Sequence, residues 1–166
     1  MLRAHVLAGM NNRSRLFLPL LILASTVILS AATKPNFSGT WKLNVAKSDL
    51  GGAPIDALVV EVEHKEPVFR YAAKGTAGGQ PFEEQESLTT DGKPGQDARG
   101  ATVVTKWDGE ALVTQASAGD GSPLYESRLS MGTDGKTIVR VFVLKTGDGS
   151  QTRREMYERQ KTAGEI

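Results

Sequence analysis

Apolar and polar residues alternate along much of this chain with a period of two, which is typical of β-strands. In the segment 36 to 43, Phe37, Trp41 and Leu43 share one parity and so face one side of an extended strand. Gly39 lies on the same face and leaves room for the indole or for a crossing strand. No later stretch shows a helical period over ten or more residues. The pattern predicts an all-β domain that begins with this strand.

Nine segments carry the strand pattern, and tight-turn signals separate many of them. Asp-Gly pairs tolerate the positive φ angles of hairpin turns, and the last four begin 12, 14 and 14 residues apart, at positions 108, 120, 134 and 148. Residues 44 to 54 are predicted to be a loop with at most one helical turn, and residues 91 to 100 a mobile loop. The candidate strands are 36–43, 58–65, 68–73, 82–89, 101–107, 111–117, 124–131, 137–145 and 151–160.

Short connections of this kind favour an antiparallel up-and-down meander, because consecutive strands tend to pair. Closing the meander removes its exposed edges, so we expect a small β-barrel of about 8–10 strands. A two-sheet sandwich is the competing architecture. Trp41 is predicted to close the base of the barrel, with Arg153, Arg154 or Arg159 stacked on its ring.

The N-terminal segment has the features of a secretory signal peptide. Basic residues precede an apolar run at 16 to 29, and small residues precede a cleavage point after Ala32. The expected organisation is a signal peptide at 1 to 32 and a barrel at 33 to 166, in a periplasmic or extracellular protein. An uncleaved membrane anchor is the alternative, although the run is shorter than the roughly 20 residues of a spanning helix.

Composition excludes several functions. The chain has no cysteine, so disulfides, thiolate metal sites and a cysteine nucleophile are absent. Removing residues 1 to 32 takes three of the 20 basic side chains and none of the 19 acidic ones, which leaves a net charge of −2. A mildly acidic domain without a basic stripe is a poor nucleic-acid binder. We therefore expect no nucleic-acid partner, and no protein partner is indicated.

Inward-facing side chains on several strands predict an apolar cavity, with Arg140 and His64 as its polar anchors. His64 has the parity of the inward residues of its strand, but it is more simply interpreted as a strand-end residue half in water. Trp107 precedes a turn and is predicted to be a rim or core aromatic. The predicted lining is Leu58, Val60, Val62, Phe69, Tyr71, Phe142 and Tyr157.

Arg140 lies in the most apolar strand, on one face with Ile138 and Phe142. If this face is inside, the guanidinium requires a partner, either Glu155 across the sheet or an anionic ligand. If the face is outside, the alternating valines at 139, 141 and 143 fill the interior instead. The outward orientation is slightly favoured, because β-branched valines suit a packed interior face.

Sequence signatures of common enzymes are missing. The chain contains no G-x-S-x-G, no H-E-x-x-H and no phosphate-binding G-x-x-x-x-G-K-[ST] motif. We accordingly predict no catalytic residue, metal or cofactor. An enzyme that uses His64 with a nearby acid is the weakest of the hypotheses.

The opening motif Phe37-x-Gly39-x-Trp41-x-Leu43 resembles the first strand of lipocalins and fatty-acid-binding proteins, the calycin group. Met156-Tyr157-Glu158-Arg159 is similar to the last strand of the fatty-acid-binding branch, and the Trp107-Asp108-Gly109 hairpin also looks calycin-like. The layout of residues 36 to 160 resembles small lipocalin-like domains of exported bacterial proteins. The resemblance implies a lipocalin-like barrel in which Phe37, Gly39 and Trp41 are structural.

Two departures from the fatty-acid-binding pattern are visible in the sequence. About 14 residues separate the first two strands, which leaves no room for the helix pair of that family. The family holds a carboxylate with Arg-x-Tyr on its last strand, whereas this chain has Glu155 and Tyr157 there. A glutamate would repel a fatty-acid head group.

The leading functional hypothesis is a non-enzymatic, exported binding protein for a small hydrophobic or amphipathic, lipid-like ligand. Its predicted ligand-binding residues are Arg140, Tyr157, His64, Tyr71 and Phe142. The alternative is a barrel filled by its own side chains, which acts as an envelope interaction or structural module.

Overall fold

The computed structural model describes residues 34 to 161, and the predicted signal peptide lies outside them. These residues form ten strands and one short 3₁₀ turn, Val45–Lys47, in the loop where one helical turn was predicted. The strands are β1 (Gly39–Leu43), β2 (Ile55–Lys65), β3 (Val68–Ala77), β4 (Gln80–Thr89), β5 (Asp91–Gln96), β6 (Thr102–Asp108), β7 (Ala111–Ser117), β8 (Pro123–Met131), β9 (Thr137–Thr146) and β10 (Gly149–Arg159).

All ten strands belong to a single antiparallel sheet with the order β4-β3-β2-β1-β10-β9-β8-β7-β6-β5. The sheet curls into a barrel because the short β1 pairs with β2 on one side and with the last strand, β10, on the other. The predicted meander and barrel are confirmed, and the two-sheet sandwich is excluded.

The barrel has one seam without strand pairing, which the prediction of a closed barrel did not include. Across the described residues, β4 and β5 are the two edges of the sheet, although only Thr90 separates them in sequence. Pro94 in β5 has no N–H to donate, and the β5–β6 pairing shifts register between Asp91 and Pro94. Proline and bulges are the usual features of an edge strand.

The region predicted to be a mobile loop, residues 91 to 100, contains β5. No strand signal is visible in the sequence here, because the segment consists of polar residues with two glycines and a proline. An exposed edge strand needs no apolar face. Asp91-Gly92, the first Asp-Gly pair of the sequence, does not form a hairpin turn as such pairs are expected to do. It begins β5, where the Asp91 carboxylate accepts a hydrogen bond from the Lys93 amide. The later Asp-Gly pairs do lie at the turns between successive strands, from β6 to β10.

One end of the barrel, the aromatic base, is made of Phe37, Trp41, His64, Phe69 and Trp107. Phe37 and Trp41 are almost completely buried, and the Trp41 indole donates a 2.8 Å hydrogen bond to the Phe37 carbonyl. The rings of Phe37 and Trp107 stack 6.0 Å apart, and Phe69 meets Phe37 edge to face. This packing closes the base, as predicted for Trp41.

Arg159 completes the base from outside. Its guanidinium lies 4.1 Å from the centre of the Trp41 ring and donates to the Ser38 carbonyl at 2.8 Å. A cation–π contact with a late-strand arginine was predicted for Trp41, and Arg159 is the one that makes it. Gly39 has φ +134°, and a Cβ there would collide with the Arg159 guanidinium. The glycine therefore makes room for this arginine rather than for a crossing strand.

Candidate functional site

A cavity of about 340 Å³ lies inside the barrel, above the aromatic base. Its floor includes Trp41 and Phe69, and its walls are mainly apolar residues from β2, β3, β8 and β9. All the side chains predicted to line a cavity do so, because alternate residues of each strand point to the same side of the sheet. They are Leu58, Val60, Val62, Phe69, Tyr71, Phe142 and Tyr157.

Arg140 faces the cavity, so the slightly favoured outward orientation of its side chain is wrong. Ile138, two residues earlier, is 3% exposed and also faces inward, whereas the valines of β9 lie on the other face. The preference of valines for a packed interior did not decide the orientation. A guanidinium can face inward when it has a counter-ion, and the pairing of β9 with β10 places Glu155 directly opposite Arg140.

Four residues on β9 and β10 form what we term the charged cluster: Arg140, Arg153, Glu155 and Tyr157. Glu155 is fully buried, and one of its oxygens lies 2.8 Å from Arg140 Nε. The Tyr157 hydroxyl donates to that oxygen at 2.6 Å, and Arg140 Nη2 donates to the other at 3.3 Å. Arg153 Nε lies 3.8 Å from the carboxylate. Two guanidinium groups thus share one carboxylate.

The hydrogen bonding of the charged cluster is incomplete. Although Arg140 Nε is close to Glu155, it is buried without a hydrogen bond of acceptable angle. Burial raises the pKa of Tyr157, so this phenol remains neutral and keeps its proton for Glu155. Burial alone would lower the pKa of Arg140, but its neighbours, above all the charge and hydrogen bond of the Glu155 carboxylate, outweigh burial and raise that pKa. The cluster therefore has a formal charge of +1 beside the cavity.

Arg153 and Tyr125 are cavity residues that sequence reasoning missed. Arg153 was considered only as a partner for Trp41, yet its guanidinium lies 4.5 Å from the ring centre of Phe142, its direct neighbour across the β9–β10 pair. The ring of Tyr125 stacks 5.2 Å from that of Phe142 on the other side. The shared inward parity of 153, 155 and 157 was the signal that could have found Arg153.

His64 belongs to the base and does not line the cavity. Its side chain is 3% exposed, so the expectation of a histidine half in water is wrong. Nδ1 accepts a hydrogen bond from the Phe37 amide at 3.3 Å, and Nε2 lies 3.2 Å from the Glu66 carboxylate. Both ring nitrogens are therefore used in closing the base, which leaves none for a ligand.

The Glu66 carboxylate is the common hydrogen-bond partner of several polar groups at the base. Its carboxylate accepts from the Thr90 hydroxyl at 2.5 Å and from the Trp107 indole at 2.7 Å, in addition to the His64 contact. Burial works to raise the pKa of Glu66, but the hydrogen bonds from Thr90, Trp107 and His64 outweigh it and hold the pKa below its usual value of 4.5. Trp107 is accordingly one of the aromatic residues that close the base, and its hydrogen bond to Glu66 was not predicted from the sequence.

Residues 34 to 161 contain no group of three or more His, Asp or Glu side chains placed to hold a metal ion. In the same residues, no helix has the length and apolar character to cross a membrane.

No protein-family model matches this chain, and no curated protein matches it by sequence. Among solved structures it is similar to zebrafish ileal bile acid-binding protein in complex with cholic acid, with 14% identity and a TM-score of 0.50. That match covers 75% of this chain and 98% of the other. It is also similar to secretory abundant heat soluble protein 4 from Ramazzottius varieornatus, with 16% identity over 78% and 98% of the two chains and a TM-score of 0.46. The match to the zebrafish protein, together with the ten-stranded antiparallel meander, shows a calycin-like fold of the lipocalin and fatty-acid-binding type.

Proposed function

We propose that this protein is a non-enzymatic binding protein for a small hydrophobic or amphipathic, lipid-like molecule. The observation that carries the proposal is the cavity of about 340 Å³ inside the barrel, which has mainly apolar walls and the charged cluster on one side. Ligand sites are usually concave and apolar with a few convergent polar groups, and the volume lies within their range of roughly 300–1,000 Å³.

The cavity supplies both affinity and orientation. Each Å² of apolar ligand surface removed from water contributes roughly 25 cal/mol, so an apolar body is held without specific bonds. The charged cluster on β9 and β10 orients the ligand, because the outer N–H groups of Arg140 and Arg153 can donate hydrogen bonds to its polar end. The zebrafish bile acid-binding protein, whose fold is similar, is in complex with cholic acid, which supports a small-molecule ligand for this barrel.

Two further parts of the proposal, export and the lack of catalysis, rest mainly on the sequence. The signal-peptide features of residues 1 to 32 support export to the periplasm or the extracellular space. The absence of enzyme motifs, together with the use of both His64 nitrogens in the base, supports a role without catalysis.

The alternative is a barrel filled by its own side chains that acts as an interaction or structural module. The aromatic base is filled in this way, but the space above it is not. The cavity therefore favours the ligand-binding proposal over this alternative.

The test is a titration with 1-anilinonaphthalene-8-sulfonate, an amphipathic fluorescent probe, on two matched variants of β8. Ser127 lines the cavity, whereas Ser130 on the same strand does not. Ser127→Phe should fill the cavity and weaken probe binding by about tenfold or more, as the loss of roughly 60 Å² of buried apolar contact predicts. Ser130→Phe should bind like the wild type.

Equal binding by the two variants, or no binding by the wild type, would overturn the proposal in favour of the filled barrel. Native mass spectrometry of protein purified from an exporting host, followed by organic extraction, then identifies the bound compound. A measured mass equal to that of a chain beginning at Thr33 would also support signal cleavage, whereas the mass of the intact chain would support the uncleaved membrane anchor.

A further inference from the structure

The cavity reaches the unpaired side of the barrel. Its lining includes Glu84 and Glu86 of β4, and Asp97, Ala98 and Arg99 of the turn between β5 and β6. We call this turn, residues 97 to 101, the seam turn. Within the described residues, β4 and β5 are the sheet edges that no backbone ladder joins. Every other pair of neighbouring strands would have to lose backbone hydrogen bonds to separate.

A second, open groove lies on the other side of the same seam. Its outer residues include Glu61, Glu63 and Arg70, which belong to the outward faces of β2 and β3. The groove and the cavity share five lining residues, so little more than these side chains separates solvent from the interior. The shared residues are Tyr71, Gln85, Glu86, Asp97 and Ala98.

Side-chain contacts hold the seam turn against β4. Arg99 Nη2 lies 3.8 Å from Glu84 Oε1, and the Ala98 amide donates to Glu86 Oε2 at 3.3 Å. The Arg99 side chain is 79% exposed, and an ion pair at such a position is weak because solvent screens it. Separating the turn from β4 therefore breaks contacts that are easily replaced by water.

The seam turn keeps its own shape independently of β4. The Asp97 carboxylate accepts from the amides of Arg99 and Ala101 at 2.9 and 2.8 Å, and the Gly100 amide donates to the Asp97 carbonyl at 3.0 Å. A turn with this internal bonding can swing as a unit, since its bonds do not depend on the neighbouring strand.

We propose that the ligand enters and leaves the cavity through this seam, with the seam turn as a gate latched to β4 by Glu84 and Glu86. The inference rests on the proposed binding function and adds its route. Weak crossing contacts allow the gate to open, and the closed gate restores the wall that shields the apolar cavity.

The test is to crosslink the seam turn covalently to β4 and measure how fast a probe exchanges. Because the chain has no cysteine, the double variant Glu84→Cys/Arg99→Cys can be joined selectively with a short bifunctional thiol reagent. Stopped-flow fluorescence then measures the exchange of 1-anilinonaphthalene-8-sulfonate. Joining should slow both association and dissociation by about tenfold or more and leave the equilibrium affinity nearly unchanged, as expected for a gated route.

Two controls keep the result interpretable. Gln115→Cys/Glu126→Cys, joined in the same way, bridges the directly paired strands β7 and β8 and should not change either rate. Arg99→Glu places like charges across the seam and, with the uncharged dye Nile red as the probe, should speed both association and dissociation without any crosslink, which avoids dependence on the joined protein.

Unchanged rates in both the joined variant and Arg99→Glu would overturn the proposal and direct attention to the rim near Ile55 and Leu144. In that outcome the probe still binds, so the binding function survives. Failure of the unjoined protein to bind the probe would overturn the route and the function together, and the two failures are thus distinguishable.

Discussion

The two ends of the barrel interior are built on opposite principles. At the aromatic base, Phe37, Trp41 and His64 fill the space, and the polar atoms of His64 and of the Trp41 indole have protein partners. Above it, a fully buried glutamate supports two arginines beside an unfilled cavity, and Arg140 Nε lacks a well-directed hydrogen bond. The same strands run through both regions.

This contrast separates the tasks of the fold. A densely packed base supplies stability, because apolar burial and complete hydrogen bonding favour the folded state. Cavities and buried charges cost stability and are tolerated where they serve another purpose. The comparison thus agrees with the proposal that the upper interior binds a ligand, and it can be tested by changing one residue in each region.

The largest expected effect is at the base. Trp41→Ala should lower the free energy of unfolding by about 3–5 kcal/mol, since it empties a buried indole site and removes the ring beneath Arg159. Chemical denaturation followed by circular dichroism measures the change. Trp41→Phe should cost less, because it retains much of the packing and loses the bond to Phe37. A tolerated Trp41→Ala, below about 1 kcal/mol, would contradict the structural role.

An intermediate effect is expected in the charged cluster. Glu155→Gln should destabilise the protein by about 3 kcal/mol, because it leaves Arg140 and Arg153 without their buried counter-ion. The same variant should bind the anionic naphthalene sulfonate probe more tightly, since the cluster charge rises from +1 to +2. Denaturation and probe titration together distinguish this from a purely structural defect.

The double variant Arg140→Met/Glu155→Met is the matched control for the cluster. Replacing both partners with apolar side chains removes the closest ion pair and leaves a cluster charge of +1 on Arg153, so most of the lost stability should return. Binding of the anionic probe should fall from that of Glu155→Gln toward the wild-type level. If the double variant is no more stable than Glu155→Gln, the ion pair does not explain the destabilisation.

The smallest effect concerns acid stability of the base. The lowered pKa of Glu66 means that its stabilising contribution is present above the usual value of 4.5 and is lost as the pH falls through the lower folded-state pKa. Glu66→Gln should therefore reduce stability modestly at pH 7 and flatten its decline below pH 4.5. Thermal unfolding at a series of pH values gives both slopes. Parallel curves for the two proteins would refute this role of Glu66.

Local sequence patterns predicted much of the fold. The period of two located nine of the ten strands, and it also selected the cavity lining from Leu58 to Tyr157, because side-chain direction in a strand depends only on parity. The strand it missed, β5, is an exposed edge that contains Pro94 and lacks an apolar face. Its pairing with β6 depends on backbone groups, which leave little trace in residue type.

Parity was less informative for single polar residues. It placed His64 inside correctly but did not distinguish the packed base from the cavity, since both are interior. For Arg140 it allowed either face, and only the position of Glu155 on the neighbouring strand decided between them.

The sequence by itself determined the class of structure: an all-β meander, turns at the later Asp-Gly pairs, and a first strand whose tryptophan closes the base. These are local properties, set by strand periodicity and turn conformation over a few residues. The tertiary structure decided where the barrel remains unpaired, which interior positions stay empty, and which charges meet. Those depend on residues that are distant in sequence and adjacent in space, such as Arg140 and Glu155 or Glu84 and Arg99.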